Sequence, residues 1–281
     1  MQTIFECMAF TEYKSVVIEQ KIIRSVYLKR DVIVDIYLPM DLQNSKLSIL
    51  LINDGQDLAK MDFVNMLDGL IATGQITPLM CVGIYAGDRL SEFGTANIVD
   101  YKNRGEKAFS YQQFLIEELL PLVHIAYGID NTKSKGIAGF SLGGLSAFDT
   151  IWAYKNLFSI TGIFSGSLWW RTKSFEDGYN ENTDRIIHQK VRSGTYYPGL
   201  RFYFTTGSLD ETADRNNNGV IDSIDDTVSL MEELKNLGYN TTHDIKYTNY
   251  EDGKHDVETW GKAMPGFLLW GWATNKKRLS E

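Results

Sequence analysis

Short continuous runs of apolar residues, separated by segments with helical spacing, constrain the fold of this chain more than any other feature. The runs span residues 47–52, 79–85, 135–138, 160–164 and 201–205. Runs of this kind are typical of strands that are buried on both faces. Between them, segments 111–124, 142–154 and 227–237 carry apolar residues at helical spacing. This alternation predicts an α/β fold with a mainly parallel sheet and helices on both of its faces.

The N-terminal part has a different pattern. Residues 16–18 and 22–28 form two short runs, and Val32, Val34 and Ile36 alternate along the chain, with the charged Asp31 and Asp35 beside them. Such alternation is typical of strands with one exposed face, so we expect an antiparallel edge to the sheet. No repeat and no linker rich in Pro, Gly or Ser interrupts the 281 residues, which predicts a single domain over residues 1–281.

A long polar segment, residues 165–197, follows one of the predicted strands and is rich in Asn and Tyr. A helix is expected within it at residues 184–191. In an α/β domain, a long excursion after the carboxyl end of a strand lies over the ligand crevice. The segment is therefore predicted to form a lid or pocket wall.

Charge and apolar run length exclude several classes of protein. The chain carries 28 Lys and Arg against 36 Asp and Glu, a formal net charge of -8, so we expect neither a nucleic-acid nor a membrane partner. The apolar runs stop well short of the roughly 18 residues that a membrane span needs. The first ten residues do not resemble a signal peptide. These features predict a cytoplasmic protein, unless an export signal has been removed, and leave its oligomeric state open.

The pattern G-x-S-x-G occurs once in a context that favours catalysis. Gly139, Ser141 and Gly143 lie between a short apolar strand and a helical segment, which is the arrangement of a nucleophile elbow. Side chains at positions 139 and 143 would collide with the neighbouring strand and helix. The alternative is an ordinary glycine-rich turn without a catalytic serine.

A nucleophile elbow needs a histidine late in the chain. His124 precedes Ser141, His188 lies in the predicted lid, and His243 opens a predicted strand at residues 243–247. His255 follows that strand after a turn-rich loop at 249–254 and precedes a helix. It is thus the predicted catalytic base, with a surface loop histidine as the alternative.

The acid of the site should follow the strand at residues 201–206. Asp210 is the first choice, Glu211 the second and Asp214 the third, and the sequence does not separate the first two. The oxyanion would be bound by two backbone N–H groups, those of Leu142 after the nucleophile and of Gln56 in the turn after the strand at 47–52.

A separate motif spans residues 214–225 and follows the pattern of an EF-hand calcium loop. Oxygen donors occur at positions 1, 3, 5 and 9, a glycine at 6, a backbone carbonyl at 7 and an acid at 12. The predicted ligands are Asp214, Asn216, Asn218, Val220, Asp222 and Asp225. The acid at position 12 is Asp, and no helix is expected before the loop. The motif predicts one structural calcium ion, with a solvated polar turn as the alternative.

Several of these motifs together resemble the putative-esterase family of α/β-hydrolases, which includes enterochelin esterases, esterase D, feruloyl esterases and mycolyltransferases. The resemblance is carried by residues 53–56, Arg89-x-x-Glu92, the helix at 111–121, the elbow, residues 165–170, and His255 with Trp260. It implies an α/β-hydrolase fold. It also implies that Asp54, Arg89, Glu92, Trp169 and Trp170 contribute to substrate binding.

The resulting hypothesis is a serine hydrolase of carboxylic esters in which Ser141 attacks the carbonyl, His255 transfers the proton and Asp210 orients the histidine. No organic cofactor is expected. The substrate would be a small-molecule or saccharide-linked ester, such as a siderophore, feruloyl, acetyl or simple acyl ester. Two alternatives stay open: an acyltransferase with the same triad, and a non-catalytic calcium-dependent binding protein on a hydrolase scaffold.

Overall fold

The computed structural model describes residues 5–40, 47–129 and 134–274. Within these ranges, nine strands form one sheet in the order β1-β2-β3-β5-β4-β6-β7-β8-β9. The strands are β1 (Phe5–Glu12), β2 (Val16–Ser25), β3 (Arg30–Pro39), β4 (Ser48–Asn53), β5 (Leu79–Ile84), β6 (Lys135–Phe140), β7 (Ile160–Phe164), β8 (Arg201–Leu209) and β9 (Ile245–Lys254).

Strands β4 to β9 pair in parallel, whereas β1, β2 and β3 form an antiparallel edge that joins the sheet through β5. The predicted fold class is confirmed. In parallel strands the carboxyl ends lie at the same edge of the sheet. The ends of β4, β6, β7, β8 and β9 therefore bring together the loops that carry the candidate site residues.

Helices cover both faces of the sheet. They are α1 (Phe63–Ala72), α2 (Arg89–Glu92), α3 (Ala108–Gln113), α4 (Leu120–Tyr127), α5 (Leu142–Ala153), α6 (Glu181–Asp184), α7 (Ile186–Arg192), α8 (Asp222–Leu237) and α9 (Val257–Trp272). A π-helical segment, Phe114–Leu119, joins α3 to α4, and a 3₁₀ helix, Gly55–Met61, follows β4.

The core has two parts, one on each side of the sheet. Strand β4 shows why: Ile49 and Leu51 belong to one apolar cluster, and Leu50 and Ile52 belong to the other. Successive side chains of a strand point to opposite faces, so a strand covered on both faces must be apolar throughout. No helix in the described ranges combines the length and the hydropathy that crossing a membrane would require.

Four details differ from the sequence-based expectation. Strand β1 was not predicted, and the two runs at 16–18 and 22–28 form a single strand, β2. Strand β9 extends to Lys254, so the expected loop at 249–254 is a strand, and His243 lies in a turn before it. Pairing with β8 through residues 245–250 outweighs the turn-like composition of this segment. His255 therefore follows the sheet directly. Helix α8 begins five residues before the predicted start and includes the last positions of the loop at 214–225.

The segment at 165–197 contains α6 and α7 and is partly packed into the protein. Ile186, Ile187 and Val191 of α7 are buried in the same cluster as α5 and α8. Phe175, Tyr196 and Tyr197 are exposed. The helix predicted at 184–191 corresponds to α7, while the role of the segment as a lid or pocket wall stays a prediction.

Candidate active site

Ser141 occupies a strained turn between β6 and α5. Its φ of 53° and ψ of -119° place it outside the regions that residues with side chains normally adopt. A Cβ atom on Gly139 would lie 2.2 Å from the carbonyl oxygen of Gly143, and one on Gly143 would lie 2.7 Å from Asp54 Oδ2. The glycines therefore allow the close backbone approach that the turn requires. The geometry is that of a nucleophile elbow.

The two backbone N–H groups predicted to bind the oxyanion each lie in the first turn of a helix. Leu142 begins α5, and Gln56 lies in the first turn of the 3₁₀ helix Gly55–Met61. The first N–H groups of a helix have no acceptor within that helix, so both can serve an external oxygen. A Cβ on Gly55 would meet the carbonyl carbon of Gly83 at 2.3 Å, so glycine is needed for this helix to start so close to β5.

Asp210 and His255 come from the ends of β8 and β9. His255 Nδ1 lies 3.9 Å from Asp210 Oδ1, and the Asp210 side chain is fully buried. Ser165 Oγ donates to the same Asp210 oxygen at 3.1 Å, and Gly207 N–H donates to the other oxygen at 2.9 Å. These donors hold the carboxylate in place. The 3.9 Å separation exceeds the length of a hydrogen bond, so the two groups are close without being bonded.

His255 lies at the edge between protein and solvent, with 38% of its side chain exposed. Its ring meets the Trp260 ring edge-on at a centroid distance of 5.2 Å. Burial lowers the pKa of His255, Asp210 opposes that effect, and the positive charge of Arg89 adds to it. A lowered pKa keeps the imidazole neutral near pH 7, which is the form that can accept a proton.

Glu211, the second choice for the acid, faces a different environment. It lines a cavity together with Asp222 and Arg215. Burial and the negative charge of Asp222 raise its pKa. Asp210, in contrast, lies within ion-pair distance of His255. The structure thus brings Asp210 to His255 and directs Glu211 into the cavity.

Asp54 and Arg89 form a pair beneath the elbow. Arg89 Nε lies 2.9 Å from Asp54 Oδ1, and Arg89 also donates to the carbonyl oxygen of Phe140 at 3.0 Å. Gln56 Nε2 donates to Asp54 at 3.2 Å. The pair connects the end of β4, which carries the candidate oxyanion donor, to the end of β6, which carries the nucleophile.

Glu92 and Trp170 are placed differently from what the resemblance implied. Glu92 is 1% exposed and binds Arg30 through both carboxylate oxygens, each at 2.6 Å. Trp170 is fully buried and packs under Arg104, whose guanidinium carbon is 4.9 Å from its ring centre. Neither side chain is accessible to a substrate in this structure, because other side chains already cover them. Trp169, in contrast, lines the cavity beside Glu211.

Two serines near the site were not assigned a role from the sequence. Ser165 Oγ accepts from Trp260 Nε1 at 3.1 Å while it donates to Asp210, and Ser167 Oγ lies 3.3 Å from Ser141 Oγ. Both belong to the segment 165–170 that contributed to the family resemblance. Their placement directly after β7, a neighbour of the elbow strand, was the signal that could have indicated a role.

The loop at 214–225 is compact, and most of its predicted ligands converge. Asn216 and Asn218 both donate their side-chain amides to Asp225 Oδ2, at 2.9 and 2.7 Å. Asp214 accepts the backbone N–H groups of Asn218 and Gly219. Asp222 is turned toward Arg215 instead, whose backbone N–H it accepts at 2.9 Å. In the part of the chain that the structure describes, no three His, Cys, Asp or Glu side chains form a group that could hold a metal ion.

Comparison with known proteins decides the family. Residues 25–270 match the sequence model of the family described as putative esterase. The chain belongs to this family. The uncharacterized protein YbbA of Bacillus subtilis (strain 168) is 24% identical over 235 residues, which cover 81% of this chain and 86% of YbbA. The predicted family is thereby confirmed.

Solved structures place this member of the putative esterase family among α/β-hydrolases. The enterobactin esterase FES of Shigella flexneri, in the presence of 2,3-di-hydroxy-N-benzoyl-serine, is 25% identical with a TM-score of 0.66. The match covers 90% of this chain but 59% of FES, so the chain spans about three fifths of that enzyme. The siderophore hydrolase EstB of Aspergillus nidulans is 17% identical over 95% of this chain and 99% of EstB, with a TM-score of 0.66, and shows the shared fold alone.

Proposed function

We propose that this protein is a serine hydrolase of carboxylic esters, with Ser141 as nucleophile, His255 as general base and Asp210 as the acid that orients it. One observation carries the proposal. The strained residue Ser141 follows β6, and the Asp210–His255 pair follows β8 and β9, at the same edge of a parallel sheet. Ester hydrolysis by such a triad requires a nucleophile and a base that reach the carbonyl from this edge.

In the proposed reaction, Ser141 Oγ attacks the ester carbonyl carbon while His255 takes the hydroxyl proton. The carbonyl oxygen becomes negative and accepts the N–H groups of Gln56 and Leu142. The bond to the alcohol breaks, and His255 returns the proton to the leaving oxygen. Water then attacks the acyl carbon and gives its proton to His255. The bond between the acyl carbon and Ser141 Oγ breaks, the acid is released, and His255 returns the proton to Ser141 Oγ.

A fluorophosphonate probe tests the nucleophile, because such probes react with a serine that is activated by an adjacent base. We expect covalent labelling of the intact protein at Ser141, identified by mass spectrometry of the labelled peptide. Ser141→Ala should remove the labelling. The matched control is Ser167→Ala, which removes the neighbouring hydroxyl and should still be labelled at Ser141. Labelling at Ser167, or no labelling of folded protein, would contradict the proposal.

We further propose that the substrate is a small ester that contains an aromatic ring. FES was solved with 2,3-di-hydroxy-N-benzoyl-serine, and another neighbour of similar fold is a ferulic acid esterase. The cavity beside Glu211 in this chain is lined by Tyr101, Trp169, Phe175 and Tyr179. Planar rings stack favourably on such side chains. Hydrolysis of catecholate, feruloyl and short aliphatic esters of matched leaving group should favour the aromatic acids. Faster turnover of the aliphatic esters would exclude this substrate class.

The loop at 214–225 is proposed to bind one structural calcium ion. Calcium takes six to eight oxygen ligands. The loop would supply six, one each from Asp214, Asn216, Asn218 and the Val220 carbonyl, and two from the Asp225 carboxylate. Asn216 and Asn218 already converge on the Asp225 carboxylate. Asp222 lies against Arg215 and is not needed for this count. The ion would act by holding the loop closed.

Removal of calcium tests this part of the proposal. An ion that binds only the folded state stabilises it by about 2.7 kcal/mol at a hundredfold excess over its Kd. Chelator should therefore lower the Tm by several degrees, and added calcium should restore it. Asp214→Ala combined with Asp225→Ala should remove this dependence, whereas the control pair of exposed acids, Glu251→Ala with Asp252→Ala, should keep it. An unchanged Tm in wild-type protein on calcium addition would show that the loop is a polar turn.

A further inference from the structure

A cavity of about 320 Å³ is lined in part by residues that adjoin candidate site residues in the sequence. Its lining residues are Tyr101, Lys102, Arg104, Trp169, Arg171, Phe175, Tyr179, Glu211, Ala213, Arg215 and Asp222. Trp169 is two residues after Ser167, and Glu211 is next to Asp210. The cavity is therefore bounded by the same two segments that carry residues of the candidate site.

The charge of this lining differs from that of the whole protein. Four of the lining side chains are cationic and two are acidic, although the chain has a net charge of -8. Two of the cations are neutralised locally. Arg104 binds Asp100, and Arg215 binds Glu181, Asp222 and Asp226. The positive charges of these two arginines are therefore balanced by carboxylates of the protein itself.

Of the remaining two cations, Lys102 is exposed, so Arg171 is the buried one. It is 9% exposed, and in the described ranges no carboxylate forms an ion pair with it. Its Nε donates to the carbonyl oxygen of Lys173 at 3.1 Å. A buried charge is costly unless it is paired, so a guanidinium left in this state is suited to receive an anion.

Aromatic rings fix the orientation of Arg171. The guanidinium carbon lies 4.1 Å from the ring centre of Phe175, 4.7 Å from Tyr101 and 5.5 Å from Tyr179. We call these three rings the aromatic collar. They are positioned to contact the guanidinium and favour its positive charge. A guanidinium presents planar N–H donors that match a carboxylate well.

We propose that Arg171 and the aromatic collar form a subsite for a carboxylate-bearing ring of the ester substrate. This inference rests on the proposed function, because it assigns the substrate class of that site. The carboxylate would pair with Arg171 and its ring would lie among the rings of the collar. Arg171 would then determine specificity without taking part in the bond-breaking step.

Two pairs of esters test the subsite, and each pair compares a free carboxylate with its neutral methyl ester. In the first, 4-nitrophenyl hydrogen terephthalate is compared with methyl 4-nitrophenyl terephthalate, which places the charge on the acid side. In the second, 3-acetoxybenzoate is compared with methyl 3-acetoxybenzoate, which places it on the alcohol side. For at least one pair, we expect kcat/KM to favour the anionic ester by about tenfold at low salt.

The ratio to be compared is kcat/KM for the anionic ester divided by kcat/KM for its neutral partner. Arg171→Gln should bring this ratio close to one by lowering kcat/KM for the anionic ester. The matched control is Arg24→Gln, which removes the same charge from an exposed position on β2 and should keep the ratio. If Arg171→Gln impairs folding, Arg171→Lys keeps the charge and should retain part of the preference. A ratio near one in wild-type protein for both pairs, or an unchanged ratio in Arg171→Gln, would overturn the subsite.

Calorimetric titration with isophthalate separates this inference from the proposed function. If no ester is hydrolysed but isophthalate binds to wild-type protein and not to Arg171→Gln, the subsite stands and the esterase proposal falls. If esters are hydrolysed and isophthalate does not bind, the esterase proposal stands and the subsite falls. Binding that is equal in wild-type and Arg171→Gln protein would likewise overturn the subsite.

Discussion

The hydroxyl group of Ser165 donates a 3.1 Å hydrogen bond to Asp210 Oδ1, the oxygen that faces His255. The same hydroxyl accepts the indole N–H of Trp260 at 3.1 Å. Trp260 in turn contacts the His255 ring edge-on. Ser165 thus connects the Asp210 carboxylate to Trp260, the ring that packs against His255. We therefore give Ser165 a positioning role in the proposed triad.

Ser165→Ala should lower kcat by roughly tenfold with little change in KM, because outer hydrogen bonds of this kind orient the groups that act directly. Trp260→Phe keeps a ring beside His255 but removes the N–H group, so it should cost less. Steady-state kinetics on one ester would measure both effects. An equal rise in KM for both variants, with kcat unchanged, would show that these residues shape the substrate pocket instead.

The acid of the triad can be identified by paired substitutions. Asp210→Asn removes the negative charge that faces His255, whereas Glu211→Gln alters a side chain of the cavity. We expect Asp210→Asn to lower kcat by several orders of magnitude and Glu211→Gln to have a much smaller effect. Both replacements preserve side-chain size, so the comparison isolates charge. A larger loss from Glu211→Gln would reverse the assignment.

The pH dependence of activity should reflect the lowered pKa of His255. Only the neutral imidazole accepts a proton, so kcat/KM should rise as the pH passes upward through that pKa. Because burial and Arg89 lower the value, the midpoint should lie below the ordinary histidine pKa near 6.5. Arg89→Gln should move the midpoint upward because it removes a positive charge. A midpoint above 6.5 in wild-type protein would contradict this reasoning.

The Asp54–Arg89 pair should matter for stability as well as for the site. Asp54 is buried with 3% of its side chain exposed, while Arg89 is 36% exposed. Arg89→Gln leaves a buried carboxylate without its cation, and we expect roughly 1 to 2 kcal/mol of destabilisation, since solvent screens the exposed partner. Adding Asp54→Asn should recover part of the loss. Urea unfolding of the two single variants and the double variant would measure the coupling, and strict additivity would argue against it.

The sheet could be predicted because its central strands are apolar on both faces. All six residues of β4 are buried, as a strand that is covered on both faces requires. The edges were less predictable. β9 contains Asn249, Glu251, Asp252 and Gly253, whose composition favours turns, yet β9 pairs with β8 through residues 245–250 and again at Lys254. Local preference is overruled here by strand pairing that the sequence does not display.

Contacts between distant parts of the chain also limited what could be predicted about the site. The order of Ser141, Asp210 and His255 could be predicted from chain order and strand ends. The buried positions of Glu92 and Trp170 could not, because they depend on Arg30 and Arg104 from distant segments. The surroundings of Arg171 could not be predicted either. Its aromatic collar is assembled from residues at 101, 175 and 179, whose rings meet only in the folded chain.

His188 gives a further prediction, this one about stability. Its side chain is fully buried, its Nε2 lies 3.0 Å from both the Asp226 carbonyl and Ser229 Oγ, and its Nδ1 has no hydrogen-bond partner among the residues that the structure describes. Burial, reinforced by the positive charge of Arg185, holds the pKa of His188 well below its ordinary value near 6.5. The folded protein therefore keeps this imidazole neutral under mildly acidic conditions.

In the unfolded chain His188 takes up a proton as the pH falls below about 6.5, while in the folded protein it does not. Above that pH both states are neutral and the group adds no pH dependence. Below it the unfolded state gains about 1.4 kcal/mol per pH unit relative to the folded state, so stability is lost as the pH falls.

His188→Gln removes this titration. The cost of His188→Gln, measured by urea unfolding, should therefore be roughly 1 kcal/mol smaller at pH 5.5 than at pH 7.5. Thr242→Ala, at an exposed position without a titratable side chain, is the control and should show no such change. A cost of His188→Gln that is the same at both pH values would mean that the imidazole is protonated in the folded state despite its burial.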